Sequence, residues 1–82
     1  MGQVICTFKL MPKGPEAFDS LKKKVEALKP SKIEEEPIAF GLKSIKATFV
    51  IEDAGGTFEK LESDLENIGA ESVENTMTTR SL

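Results

Sequence analysis

The stretch from residue 42 to residue 51, Leu42-Lys-Ser-Ile-Lys-Ala-Thr-Phe-Val-Ile51, decides the fold class of this chain. Its apolar and polar side chains alternate, and a period of two is typical of a β-strand with one buried face. We therefore predict a strand here, the third of four. One face of this strand, toward the core, carries Ile45, Ala47, Phe49 and Ile51. The other face carries Ser44, Lys46 and Thr48.

The residues before this stretch predict two more strands and a helix. Residues 3–11 alternate in the same way and form strand one. Pro15 suits the first turn of a helix, and Pro30 ends that helix. Strand two starts near Ile33 and passes through residues 34–36 before residues 37–41, where Pro37 favours an edge position or a bulge. The inward residues of strand one are Val4, Cys6, Phe8 and Leu10, and the apolar stripe of helix one is Phe18, Leu21, Val25 and Leu28.

The residues after it predict a second helix and a fourth strand. Thr57 is predicted to be the N-cap of helix two, and Gly69 its left-handed C-terminal cap. The stripe of this helix, Phe58, Leu61, Leu65 and Ile68, repeats the spacing of the first. Strand four covers residues 72–80, with Val73 and Met77 predicted inward and Glu74, Thr76, Thr78 and Arg80 outward.

The predicted order of elements is therefore βαββαβ. Each helix has one apolar stripe, so both fit against the same face of a four-stranded antiparallel sheet. This is the ferredoxin-like sandwich of the α+β class, in which right-handed crossovers put strands one and three in the middle. We expect a single domain over residues 1–82, because two shorter pieces would each be too small to bury a core.

The composition excludes several classes of function. The 11 basic and 14 acidic residues give a net charge of −3, so no broad basic field attracts nucleic acid. With no histidine and one cysteine, Cys6, the chain lacks His-dependent catalysis, most zinc sites and an internal disulfide. We expect no cofactor and no metal. Short apolar runs and a non-cationic N-terminus favour a cytoplasmic protein with no membrane partner.

Three known uses of this topology lack their residues here. An RNA-recognition sheet would expose aromatic rings, but Phe8 and Phe49 fall on the inward face. A metal carrier needs two thiols in the first loop, whereas Cys6 is single, inward and in the middle of a strand. An acyl-phosphate hydrolase needs a cationic cradle in that loop, which offers only Lys13.

Two charged runs are interpreted as solvated surface. Residues 34–36 are three glutamates on a strand, which point alternately to opposite faces and cannot all converge on one site. They are typical of an edge that resists aggregation. Residues 22–24 are three lysines on an exposed helix face, which could pair with Asp19 or Glu26 at helical spacing.

The connection between strands two and three, Pro37-Ile-Ala-Phe-Gly-Leu-Lys43, holds Phe40 between a proline and a glycine. A tight connection there would display the ring. Phe40 then either caps the end of the sheet or, beside Lys43, anchors a partner protein, as aromatic residues commonly do.

This motif, followed by Phe49-Val-Ile-Glu-Asp53 and Gly56-Thr57, resembles the nucleotide-exchange domain of translation elongation factor 1-beta, above all in its archaeal form. The resemblance extends over essentially the whole chain. It implies a guanine nucleotide exchange factor for the GTPase elongation factor 1-alpha, which would be the partner. Such a factor makes and breaks no covalent bond, and no direct contact with nucleic acid is implied.

The resemblance also implies which residues contact the GTPase. In the family, the phenylalanine of the Pro-Ile-x-Phe-Gly motif packs near the nucleotide site, which gives that role to Phe40. A basic side chain near the C-terminus reaches the Mg²⁺ position. Ser81 occupies the place of the lysine in eukaryotic relatives, so Arg80 is the cationic substitute. The other partner-binding residues expected are Pro37, Ile38, Gly41 and Lys43.

A second interpretation stays open. The chain could be a ferredoxin-like module for a small ligand or RNA, which would bind at Lys9, Lys46 and Thr48 on the uncovered face of the sheet. An enzyme is not expected, because the sequence offers no pairing of a nucleophile with a base.

Overall fold

A computed structural model describes residues 2–38, 41–52 and 55–81. Of these, residues 80 and 81 are described by their backbone alone. None of the helices in these ranges is long and apolar enough to span a bilayer. The predicted βαββαβ order and the α+β ferredoxin-like fold are confirmed. The elements are β1 (Gln3–Met11), a short 3-10 helix (Pro15–Ala17), α1 (Phe18–Ala27), β2 (Lys32–Pro37), β3 (Lys43–Glu52), α2 (Thr57–Glu66) and β4 (Ser72–Ser81).

The four strands form one antiparallel sheet in the order β2-β3-β1-β4. β1 and β3 lie in the centre, as right-handed crossovers require. β2 is an edge strand, which Pro37 predicts. Its glutamates alternate between the faces, because Glu35 lies opposite Ile45 whereas Glu34 and Glu36 lie opposite Lys46 and Ser44.

Both helices cover one face of this sheet. The fully buried Phe8 lies edge-on to Phe49, with 6.2 Å between ring centroids, and stacks on Phe58 of α2 at 5.9 Å. Cys6 is buried as predicted, with its Sγ 3.7 Å from the carbonyl oxygen of Phe49. The core side chains are Cys6, Phe8, Leu10, Leu21, Val25, Ile45, Ala47, Phe49 and Leu65.

The two halves of the chain end their helices in the same way. Lys29 after α1 and Gly69 after α2 both have left-handed backbone, with φ values of 58° and 93°. The prediction for Gly69 is therefore confirmed. Soon afterwards the Ser31 N–H donates to a carbonyl of β3, and the Glu71 N–H donates to one of β1, each at 2.8 Å.

The start of α2 differs from the prediction by one residue. Thr57 is the first helical residue, and the N-cap is Gly56, which has a φ of 85° and offers no side-chain cap. The Gly56 carbonyl accepts the first helical hydrogen bond, from the Lys60 N–H at 3.0 Å. The prediction of Thr57 as the cap was wrong because the turn enters the helix through a left-handed residue, a conformation that favours glycine.

β4 is not a regular strand. Thr7 of β1 pairs with Met77, and the next residue, Phe8, pairs with Asn75. Thr76 is therefore an extra residue, which makes a β-bulge. Such a bulge changes the face on which every later side chain of the strand lies, relative to simple alternation.

The bulge corrects two predictions for β4. Met77 lies opposite Thr7 on the uncovered face and is 50% exposed, so its predicted inward position is wrong. Thr78 lies opposite the inward residue Cys6, so it is on the helix side of the sheet and not on the predicted face, although it is exposed there. Arg80 pairs with Val4 through its backbone, and its side chain is outside the described part of the chain.

Candidate functional site

The connection between β2 and β3 has a tight base. Pro37 pairs with Lys43 at the end of the ladder, and the Ile38 N–H donates to the Leu42 carbonyl at 2.7 Å. Gly41 has a φ of 76°, and a Cβ added there would meet nothing within 4 Å. Glycine is therefore favoured at this position by backbone conformation and not by crowding.

This base presents an apolar side chain to solvent. Ile38 is 36% exposed at the point where the chain leaves β2. Phe40 and its neighbour Ala39 lie outside the described residues, so the role of Phe40 as a partner anchor stays a prediction. The residues on either side of it place the connection at the end of the sheet where β3 begins.

A charged cluster of Lys22, Glu35 and Lys43 lies under the connection. The Lys22 ammonium donates to Glu35 Oε2 at 2.7 Å, and Lys43 Nζ lies 3.7 Å from Glu35 Oε1. The hydrogen bond from Lys22 lowers the pKa of the Glu35 carboxyl, and the charges of both lysines lower it further. The same hydrogen bond raises the pKa of Lys22. These groups are partly exposed, so the cluster orients β2 and α1 more than it stabilises the fold.

Sequence reasoning missed this cluster. It offered Asp19 and Glu26 as partners of the lysine run because both lie at helical spacing. In the structure α1 packs beside β2, and Lys22 reaches across to Glu35 instead. The Lys24 side chain likewise reaches beyond its own helix, and its ammonium donates to the Ile68 carbonyl at 3.3 Å. The alternation of the three glutamates, with Glu35 facing the helices, was the one available signal.

Lys43 is held from a second side by an aromatic ring. Its Nζ lies 5.7 Å from the centre of the Phe18 ring, within the range of a cation–π contact. Its side chain is still 55% exposed and remains open to a partner. The groove next to it measures about 190 Å³ and is lined by Pro15, Phe18, Asp19, Gly41 and Lys43.

The structure separates Arg80 from this groove. Arg80 and Ile51 both pair with Val4, whereas the β2–β3 connection enters β3 at Lys43. At about 3.3 Å per residue, the strand from Lys43 to Ile51 spans roughly 26 Å. We call the end of the sheet at Lys43 the loop end, and the end where Arg80 pairs with Val4 the C-terminal end. The predicted partner-binding residues Pro37, Ile38, Gly41 and Lys43 lie at the loop end, and Arg80 lies at the C-terminal end.

The described residues of the uncovered sheet face do not form a cationic surface. Lys9 and Lys46 lie directly opposite each other, and each is flanked on its other side by an acid, Glu74 and Glu34 respectively. Within the described residues, the aromatic rings of the sheet are those of Phe8 and Phe49, and both are in the core. This face therefore lacks the stacking platform that single-stranded RNA requires.

Comparison with known proteins identifies the family. The model of the EF-1 guanine nucleotide exchange domain matches residues 5–80. Elongation factor 1-beta of Methanobrevibacter smithii is 41% identical, with 98% of both chains covered, and that of Methanothermobacter thermautotrophicus is 39% identical with the same coverage. Elongation factor 1-beta of Thermoplasma acidophilum is 34% identical over 92% of this chain and 96% of its own.

The relatives are translation elongation factors from archaea, which is the class that the small α+β fold and the Pro37–Lys43 motif indicate. The resemblance noted in the sequence is confirmed by these matches. The chain belongs to the EF-1 guanine nucleotide exchange domain family.

Proposed function

We propose that this protein promotes the exchange of GDP for GTP on elongation factor 1-alpha and so supports the elongation step of protein synthesis. The observation that carries the proposal is the match of residues 5–80 to the exchange-domain family. The role requires no covalent chemistry, because the factor acts only on the occupancy of a nucleotide site in its partner. The partner is a GTPase, and no contact with nucleic acid or a membrane is needed.

Exchange follows from differential binding. A GTPase holds GDP through its phosphate loop and Mg²⁺, so the factor must bind the empty GTPase more tightly than the loaded one. Linkage then requires that GDP weaken the factor by the same ratio. A 10³-fold ratio corresponds to about 4 kcal/mol of contacts made only in the empty state. One desolvated cation and one buried aromatic ring are enough to supply this.

The two ends of the sheet divide this work. Contacts roughly 26 Å apart cannot both reach one Mg²⁺ ion, given the rise of a strand. We assign displacement to the C-terminal end, where the cation of Arg80 opposes Mg²⁺ by like charge. We assign anchoring to the loop end, where Phe40 and the exposed Ile38 offer apolar contacts to another part of the GTPase.

The charged cluster supports the anchor. Glu35 and the Phe18 ring hold Lys43 at the root of the connection, so that the segment carrying Phe40 starts from a fixed base. A fixed base lowers the entropy lost when the segment is bound. Lys43 thereby contributes to binding mainly by orienting the loop end, with its exposed ammonium available to a carboxylate on the partner.

A nucleotide-release assay tests the function. Elongation factor 1-alpha from the same organism is loaded with fluorescent GDP, excess unlabelled GDP is added, and the release rate is followed with increasing amounts of this protein. We expect a saturable acceleration that is lost when excess Mg²⁺ competes with the C-terminal end. If release is not accelerated at any concentration, the proposed function is wrong.

Two variants separate anchoring from displacement. Phe40→Ala should raise the half-saturating concentration by about tenfold or more with little change in the maximal rate, because interface aromatics contribute affinity. Arg80→Ala should lower the maximal rate by about tenfold or more at nearly unchanged half-saturation. Lys23→Ala, which removes a cation from the exposed face of α1, is the control and should change neither value. The opposite split between the first two variants would reverse the assignment of the two ends.

A further inference from the structure

The β-bulge in β4 lies ahead of Arg80 in the strand. Thr76 is the extra residue, and from Met77 to Ser81 the strand pairs in regular order with β1, from Thr7 to Gln3. Arg80 pairs with Val4 only because Thr76 is left out of the ladder. Without the bulge, each of these residues would pair one position further along β1, and Arg80 would pair with Gln3.

A network of side-chain hydrogen bonds holds the bulge. The carbonyl of Thr7 accepts from Asn75 Nδ2 at 3.1 Å and from Thr76 Oγ1 at 3.3 Å. The same Asn75 Nδ2 donates to the Met77 carbonyl at 3.2 Å, and Thr78 Oγ1 donates to Asn75 Oδ1 at 2.9 Å. The amide of Asn75 therefore bridges the two strands at the point where the regular ladder is interrupted.

Burial of apolar surface does not explain the bulge. A regular strand would place Met77 opposite Cys6, on the face that the helices cover, whereas the bulged strand leaves it 50% exposed. Thr78 takes the place opposite Cys6 instead, and it too is exposed, so burial does not select between the two registers. The hydrogen bonds of Asn75, Thr76 and Thr78 are the interactions observed at the bulge, and they favour this register.

The register determines the geometry at position 80. In a sheet, a shift of one residue moves every side chain of the shifted segment to the opposite face. Val4 is buried on the helix side, whereas the next residue, Ile5, belongs to the uncovered face. Pairing with one or the other thus fixes the register of the β4 backbone at position 80.

We propose that Asn75, Thr76 and Thr78 are positioning residues for nucleotide exchange, because their bulge fixes the register in which Arg80 meets the partner GTPase. The inference rests on the proposed function for its activity readout. It extends the functional region to residues that touch neither the loop end nor the C-terminal end.

Two variants, each lacking a different threonine, test the proposal. They have the same length and the same composition. Deleting Thr76 removes the extra residue, so Met77 to Ser81 keep their partners on a regular strand. Deleting Thr79 keeps the bulge but moves Arg80 opposite Ile5. We expect the first chain to exchange within about twofold of wild type and the second to fall about tenfold or more, to the level of Arg80→Ala.

A rescue distinguishes position from mere stability. In the chain that lacks Thr79, Ser81 is the residue opposite Val4. Combining Arg80→Ser with Ser81→Arg in that background returns an arginine to this place, and exchange should recover. If the deletion of Thr79 does not fold, the full-length double variant Asn75→Ala with Thr76→Val, which removes the hydrogen bonds that hold the bulge, should lose exchange in the same way.

Cross-strand NMR contacts give the register independently of activity. Position 80 should contact Val4 in wild type and in the deletion of Thr76, and Ile5 in the deletion of Thr79. The proposal is overturned if the deletion of Thr79 dissolves the bulge and keeps Arg80 opposite Val4, or if it shifts the register and exchange is unchanged. If wild type does not accelerate release at all, the proposed function fails, while these contacts still decide whether Asn75, Thr76 and Thr78 fix the register.

Discussion

Glu35 shows how one side chain can organise a surface without being buried. It accepts a short hydrogen bond from Lys22 and lies close to Lys43, and so it ties α1 to the root of the loop end. Charged pairs this exposed contribute little to global stability because solvent screens them. Their effect is local, on the direction in which the β2–β3 connection leaves the sheet.

The pH dependence of this pair has a definite sign. The pKa of Glu35 is lowered in the fold, so its contribution to the free energy of unfolding is fully present above the ordinary carboxyl pKa and is lost as pH falls through the lowered value. The pKa of Lys22 is raised, so its contribution is present below the ordinary lysine pKa and is lost as pH rises through the raised value. Glu35→Gln should therefore be less stable than wild type near pH 7, and the difference should vanish in acid. Urea unfolding at several pH values measures this.

A control for this experiment lies on the same strand. Glu36→Gln removes the same charge, but among the described residues Glu36 takes part in no ion pair within 4 Å. It reports the effect of net charge alone. An equal loss of stability in both variants near pH 7 would show that the hydrogen bond from Lys22 has no effect of its own.

At the scale of elements, the ends of the two helices form a natural comparison. The same left-handed position is filled by Lys29 after α1 and by Gly69 after α2. A residue with a Cβ is strained there, whereas glycine is not. The end of α1 therefore carries a backbone strain that the end of α2 does not.

Exchanging these residue types should move stability in opposite directions. We expect Lys29→Gly to stabilise the fold by about 0.5–1 kcal/mol and Gly69→Ala to destabilise it by about 1 kcal/mol. There is room for the added methyl, since its nearest neighbour would be Lys24 Nζ at 3.8 Å. The midpoint of urea unfolding, at constant slope, gives both values. Destabilisation by Lys29→Gly would contradict a left-handed backbone at that position.

The strands show where sequence patterns succeed and where they fail. Alternation in β1 and β3 identifies the inward residues, such as Phe8 and Phe49, because a regular strand has a period of two. In β4 the same count puts Met77 on the wrong face, since a bulge leaves no mark in a hydrophobic pattern. Likewise the partner of Lys22 could not be found by local spacing, because Glu35 is brought near only by the packing of α1 beside β2.

For the candidate site, the sequence proposes residues but does not give their arrangement. The family motif indicated Phe40 and the residues around it, and the position of the cation followed from the last strand. That Lys43 and the backbone of Arg80 lie at opposite ends of the sheet depends on strand direction, which the βαββαβ order already contains. The alternation of the three glutamates is the one sequence signal for the cluster of Lys22, Glu35 and Lys43, and the bulge before Arg80 has none, because each depends on contacts between distant residues.

At the scale of the whole molecule, stability depends on a small core with Phe8 at its centre. Its ring contacts Phe49 of the sheet and Phe58 of α2, so it joins the two layers. Domains of this size are marginally stable, with about 5–15 kcal/mol between folded and unfolded states. A change at this one position is therefore felt throughout the fold.

Phe8→Leu should lower the free energy of unfolding by about 1–2 kcal/mol, because it removes aromatic contacts and leaves a small void. For a domain of this length, each kcal/mol lowers the thermal midpoint by about 4–8 °C. Calorimetry checks this. Val50→Ala, which truncates a 43% exposed residue on the uncovered face, is the control and should change stability by less than about 0.5 kcal/mol. Equal shifts in the two variants would mean that the core is not centred on Phe8.

The sheet also fixes the distance between the loop end and the C-terminal end. Hydrogen-bonded strands neither stretch nor fold back, so the span between its two working ends is constant whatever sits at either of them. Under the proposed function, a GTPase whose docking points are closer together or farther apart would meet one end but not both, and it would gain none of the avidity that comes from simultaneous engagement. Partner choice can in this way be made by length, before any individual side chain is compared.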